Sequence, residues 1–94
     1  MEIPAEVKSI AGPTTLCLVL TRGTHAVPFI CEVADIIPRD PEACQNWLAE
    51  NLLNKNVECE IQNKKRGDIY TAFVFIDGMD VGAALVAQGL ADDN

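Results

Sequence analysis

Hydrophobic and polar positions alternate with a period of two along most of this chain, and the breaks in that alternation mark its elements. Ile3, Ala5 and Val7 form one face of a first strand, after which Ile10-Ala11-Gly12-Pro13-Thr14 supplies turn chemistry. In the next strand Leu16, Leu18 and Leu20 share one face while Thr15, Cys17 and Val19 share the other. A strand that is apolar on nearly both sides is expected in a barrel wall or under a helix. Thr21-Arg22-Gly23-Thr24 reads as a hairpin turn. Over 26–33, Val27, Phe29, Cys31 and Val33 are expected to point inward, with Pro28 and Glu32 outward. Pro28 has no N–H to donate, which places it at an edge or a bulge.

The period then changes. Asp40-Pro41-Glu42 is a helix start: Asp40 accepts from free N–H groups, Pro41 suits the first helical position, and Glu42 opposes the positive end of the dipole. Ala43, Cys44, Trp47, Leu48 and Leu52 recur at three- and four-residue spacing and predict a helix over 41–54 with Trp47 as its large core anchor. Val57, Cys59 and Ile61 alternate with Glu58, Glu60 and Gln62 in a half-exposed strand, followed by a loop at 63–67 and a second strand over 69–76. Asp77-Gly78 closes that strand. Asp80 is an N-cap for a short helix over 81–88, Gly89-Leu90 is its left-handed stop, and 91–94 reads as a frayed acidic tail. Three strands, a helix, two strands and a helix make an α+β pattern that fits a five-stranded Greek-key barrel of the OB type with helices packed against it. No internal repeat or linker divides the chain, so a single domain over 1–94 is expected.

Composition agrees with a folded domain: 49 % of residues are hydrophobic and 22 % charged, far from the polar balance of a disordered chain. Fourteen acidic against seven basic residues give a formal charge of −7, which repels phosphate backbones at long range and disfavours nucleic acid as a partner. No apolar run approaches the ~20 residues of a membrane span. The opening Met1-Glu2-Ile3-Pro4 lacks the basic and apolar blocks of a secretion signal, which predicts a cytoplasmic, reducing setting unless the chain is cut from a longer protein. Cys17, Cys31, Cys44 and Cys59 form no C-x-x-C pair and fall in apolar slots of the pattern. Reduced packing cysteines are expected, with an occasional disulfide or a metal as the alternatives.

Little of the sequence carries reactive chemistry. G-x-S-x-G, the P-loop and H-E-x-x-H are absent, and His25 has no second ligand or base near it, so it reads as an exposed or capping histidine. Glu58 and Glu60 share a strand face, where outward charge serves solubility better than it makes a catalytic dyad. No catalytic, cofactor-binding or metal-ligating residue is assigned. The most basic stretch, Lys64-Lys65-Arg66, reads as a solvated hairpin loop or as a phosphate or acidic-partner contact, and Tyr70 joins it as a possible contact residue.

The C-terminal half holds three motifs in order: Asp68-Ile69-Tyr70-Thr71-Ala72, then Phe75-Ile76-Asp77-Gly78, then Ala84-Leu85-Val86-Ala87-Gln88-Gly89-Leu90-Ala91. These resemble the D-x-Y-G-R stretch, the strand ending in D-G, and the A-L-V-x-x-G-L-A helix close of the staphylococcal-nuclease-like family. In the first half, Ile10-Ala11-Gly12-Pro13-Thr14 stands where that family has D-G-D-T, and Asp35-Ile36-Ile37-Pro38-Arg39 where it has D-x-P-E. The likeness spans nearly the whole chain and lacks only the family's last helix.

The resemblance implies a staphylococcal-nuclease-like OB-fold and allows the family's catalytic roles to be followed one by one. Its metal-binding aspartates fall on Ala11 and Pro13, which offer none of the side-chain oxygens a hard cation requires. Its first arginine falls on Pro28, Phe29 or Ile30, its second on Ala72, and its general-base glutamate on Arg39; Asp35 alone survives. An arginine acting on a phosphoryl group is worth ~10³ to 10⁵ in rate, so a chain without both is expected not to be an enzyme and to need no cofactor. What the resemblance then implies is a catalytically inactive module of the kind found in Tudor-staphylococcal-nuclease and extended-Tudor proteins. Its expected role is that of a scaffold for a protein partner or a neighbouring Tudor-type domain in RNA regulation. The alternative is an OB barrel that binds RNA or single-stranded nucleic acid. The aromatic residues Phe29, Trp47, Tyr70, Phe73 and Phe75 fall mostly in core-like alternation, so no methylarginine cage is assigned.

Overall fold

The computed structural model describes residues 2–22 and 24–94, with all their side chains except those of 21, 22, 63 and 64. Along the chain come β1 (Glu2–Ile10), β2 (Thr15–Arg22), β3 (His25–Val33), β4 (Ile36–Pro38), α1 (Pro41–Leu52), β5 (Asn56–Arg66), β6 (Ile69–Ile76), β7 (Met79–Asp80), α2 (Val81–Ala87) and β8 (Ala91–Asp93). Among the described residues the five long strands form a closed barrel with two helices, an OB-like architecture. Antiparallel pairing joins β3 to β2, β2 to β1, β1 to β5 and β5 to β6, and a parallel pairing of β3 with β6, Cys31 opposite Tyr70, completes the ring. The free half of the same β6 edge carries β7.

The period of two explains why these strands close. Their inward residues Ala5, Val7, Leu16, Leu18, Cys31, Val33, Val57, Cys59, Ala72 and Val74 are all 6 % exposed or less, and Cys44, Leu48 and Leu52 of α1 and Val81 and Leu85 of α2 complete the same cluster. Both helices begin as the sequence predicts: Asp40 Oδ1 accepts from Ala43 N and Asp80 Oδ1 from Ala83 N, each at 3.1 Å. Helix α2 ends in the left-handed stop at Gly89 (φ 74°), with Leu90 N donating to Leu85 O and Gly89 N to Val86 O, both at 3.0 Å. Asp77 (φ 50°) and Gly78 (φ 80°) form the two-residue turn between β6 and β7, where both central residues must be left-handed.

Several sequence expectations need correction. The acidic end is not a frayed tail: β8 pairs with β4, and Asn94 N donates to Asp35 O at 3.0 Å, because Pro38 and Ile36 present an edge that the chain reaches after α2. Helix α1 stops at Leu52 rather than at residue 54, since Leu53 is already extended and Asn54 is left-handed (φ 64°). Trp47 is half-buried beside the core, while Cys44, Leu48 and Leu52 form the buried stripe. Cys17 is likewise half-buried, on the outer face of β2, whereas the other three cysteines are buried; all four are free. The β2–β3 turn includes Gly23, outside the described residues, but Arg22 opposite His25 shows the two strands paired up to it, and His25 is exposed. Pro28 sits where β3 has no partner on its second side, since β6 begins pairing only at Ile30, as its missing N–H requires.

Candidate functional site

The barrel has two unlike ends. At one, α1 lies along β1, with Asn54 N donating to Val7 O (2.8 Å) and Val7 N to Lys55 O (3.0 Å), and α2 comes close to the end of β3, where a Cβ on Gly82 would lie 3.4 Å from Val33. At the other, no helix among the described residues covers the inward faces. There the inward series of each strand ends in an open apolar hollow of about 270 Å³ lined by Ile3, Leu20, Val27, Phe29, Ile61 and Tyr70. Every barrel strand contributes to it. The next residues inward, Ala5, Leu18, Cys31, Cys59 and Ala72, are closely buried, so the hollow is a shallow mouth above a filled core. Val27 was expected to be core and belongs to the inward series, yet it is 48 % exposed because it stands on this lip.

The basic run meets the mouth through one residue. The loop expected at 63–67 is instead the end of β5, which runs to Arg66 and leaves Gly67 and Asp68 as the turn. A bulge between Ile61 and Lys65 shifts the register, so that Lys65 faces Tyr70 across the ladder and Arg66 faces Ile69. Residues in register share a face, and the Lys65 ammonium lies 4.7 Å from the centre of the Tyr70 ring. Arg66 points the other way, where its guanidinium is 3.7 Å from Glu32. The Lys64 side chain lies outside the described residues. Of the four proposed contact residues, the structure thus brings together Lys65 and Tyr70 and separates Arg66 from them. An adjoining groove of about 620 Å³ shares Val27, Phe29 and Tyr70 with the mouth and adds Lys8, Lys65 and Asp68; Lys8 is 3.1 Å from Glu6.

The mouth residues Ile3, Leu20 and Ile61 were read from the sequence as members of an apolar strand face and not as contact residues. Each continues the apolar series of its strand beyond the buried residues Ala5, Leu18 and Cys59.

The positions that the family resemblance picks out meet through the backbone. Val33 N donates to Thr14 O at 2.9 Å and Ala34 N to Ala72 O at 2.8 Å, so the β1–β2 turn, the end of β3 and the middle of β6 adjoin. Their side chains diverge. Ala72 is fully buried inside the barrel, whereas Ala11, Asp35 and Arg39 are exposed. Asp35 has a left-handed backbone (φ 58°), and Arg39 lies 3.7 Å from Asp92 of β8. Among the described residues no three His, Cys, Asp or Glu side chains come together in a way that would hold a metal ion.

Among the described residues, the interior groups whose titration is shifted are thiols. A hydrogen bond between the Cys31 and Cys59 thiols pushes the pKa of Cys31 up, with burial adding to it, and pulls that of Cys59 down against the cost of its burial. The Cys44 thiol donates to Leu90 O at 2.9 Å; burial first and the nearby Asp40 carboxylate second push its pKa up. Low thiolate character makes Cys31 and Cys44 packing groups rather than nucleophiles, and Cys59 is fully buried.

Neither the family models nor the curated proteins compared with this chain match it. No helix among the described residues is long and apolar enough to cross a membrane.

Proposed function

We propose that this chain is a catalytically inactive, staphylococcal-nuclease-like OB barrel that works as a protein-interaction or scaffold module, within a larger RNA-regulatory protein of the cytoplasm. The observation that carries this reading is the chemistry of the region where the β1–β2 turn, the end of β3 and β6 adjoin. Ala11, Pro13 and Ala72 stand where the resemblance would require metal ligands and an arginine. None of them offers an oxygen donor or a cation to a phosphodiester. Asp35 alone remains, and a single carboxylate neither encloses a hard cation nor neutralises a phosphorus centre. The net charge of −7 adds a long-range repulsion of nucleic acid, while the barrel offers apolar surface at its open end.

The test pairs two measurements on the purified chain. Incubation with calcium and a labelled single-stranded DNA or RNA should leave the oligonucleotide intact; cleavage that is lost in D35A would overturn the inactive assignment. A low-salt titration with the same oligonucleotide should give no binding at about 50 μM protein, far below the affinity of a dedicated single-strand binder. Saturable binding would replace the scaffold reading with a nucleic-acid one.

A further inference from the structure

We infer that the open mouth of the barrel is a docking site for an acidic peptide segment of a partner protein that inserts one large apolar side chain. The inference rests on the protein-interaction reading above and names the place and the chemistry of the contact.

Size comes first. At about 270 Å³ the mouth falls below the usual ~300 to 1,000 Å³ of small-molecule sites, and the filled core beneath it stops a long acyl chain from entering. A single leucine- or phenylalanine-sized side chain fits that depth, and its walls are the apolar groups of Ile3, Leu20, Val27, Phe29, Ile61 and the Tyr70 ring.

Charge decides what flanks that side chain. The chain carries a net charge of −7, yet beside the mouth, over the ring of its lining residue Tyr70, stands Lys65, which makes no ion pair among the described residues. Lys8 lines the adjoining groove and is paired with Glu6, and Asp68 lines the same groove. An acidic segment is repelled elsewhere on the molecule and accepted here, so complementarity orients the encounter as well as adding to its energy. A nucleic-acid strand needs a row of cations along its phosphates, whereas Arg66 is turned away to Glu32 and Lys8 is already paired.

Strand addition is not the mode of capture. Pro28 removes a donor from the stretch of β3 that lacks a second neighbour, and that blunts the edge against an added strand. Side-chain insertion therefore carries the contact.

The experiment is a ¹⁵N–¹H correlation titration of the full chain with a capped pentapeptide holding a central leucine between two pairs of glutamates, up to about 2 mM for a weak contact. Amide shifts should centre on Ile3, Leu20, Val27, Phe29, Lys65 and Tyr70. Affinity should fall about tenfold when the leucine is replaced by alanine, and about tenfold in V27E or K65E. Both substitutions sit at exposed positions, and retained spectral dispersion reports that the barrel is intact.

Three results would overturn the proposal. These are no shift at the mouth, an equal response to a peptide with lysines for glutamates, or a stronger response at the same residues to an oligouridylate. Partner retention from cell extract separates this failure from that of the broader reading. If the peptide fails while wild type and V27E retain the same proteins, the mouth is the wrong place and the module assignment stands. If the peptide fails and neither retains any protein, both fall.

Discussion

The helix-covered end of the barrel and its open end are built from the same alternating pattern, yet they differ in burial and in what they can do. Leu16 and Leu20 lie on the same face of β2, four residues apart; Leu16 is fully buried and Leu20 only half-buried. Val7 and Val27 are both inward-facing valines, one under α1 and fully buried, the other 48 % exposed on the lip. Alternation thus selects the face, and a second element laid over it decides whether the face is core or contact surface.

The largest expected effect tests that contrast directly. L16A should destabilise the barrel by ~2 to 5 kcal/mol in urea unfolding, the usual cost of truncating a packed leucine, whereas L20A should cost less than about half as much because water already reaches the site. Equal losses would show that the mouth is as well covered as the other end. Removing the cap of α2 with D80A should cost ~1 kcal/mol, because Ala83 N loses its acceptor. That change should loosen the covered end and leave peptide binding at the mouth unchanged, which amide exchange and the titration above would together report.

The smallest effect concerns the thiols of the interior. Cys31 and Cys44 have raised pKa values in the folded chain, so the unfolded state releases their protons first once pH passes the ordinary thiol value of 9.0. The stability they contribute is complete below that pH and is lost as pH rises towards their folded values, while Cys59, shifted down, gains its contribution below 9.0, as pH rises from its folded value to the ordinary one. Urea midpoints should decline above pH 9.0, and C44A should flatten part of the decline. Under native conditions, alkylation should reach the half-buried Cys17 well before Cys31, Cys44 and Cys59. Rapid modification of Cys44 would mean that the covered end opens readily, and of Cys31 and Cys59 that the floor of the mouth does.

Much of the barrel was legible in the sequence because its signals are local. The caps at Asp40 and Asp80, the stop at Gly89 and the turn at Asp77-Gly78 each act within a few residues, and each forms as expected. Trp47 packs against the core as expected but is not its centre, because helical spacing names a stripe without ranking its members, and the barrel takes Cys44, Leu48 and Leu52 as the centre. The acidic end was misjudged because its partner, β4, is more than fifty residues away and carries only a short apolar signal of its own. Lys65 and Tyr70 were named in one set of possible contact residues, with Lys65 placed in a loop and not on the face of Tyr70. Only the bulge in β5 sets them on one face.

The sequence by itself determined which residues turn inward and where the chain bends, since side-chain sterics, capping and left-handed turns act over a few bonds. It also determined that Ala11, Pro13 and Ala72 bring no reactive groups to the adjoining ends of the strands. The tertiary structure alone decided which inward residues are sealed, which stand open at a mouth, and which cation sits beside them. Burial is a property of two surfaces brought together, and the second surface lies too far along the chain for any local pattern to reveal.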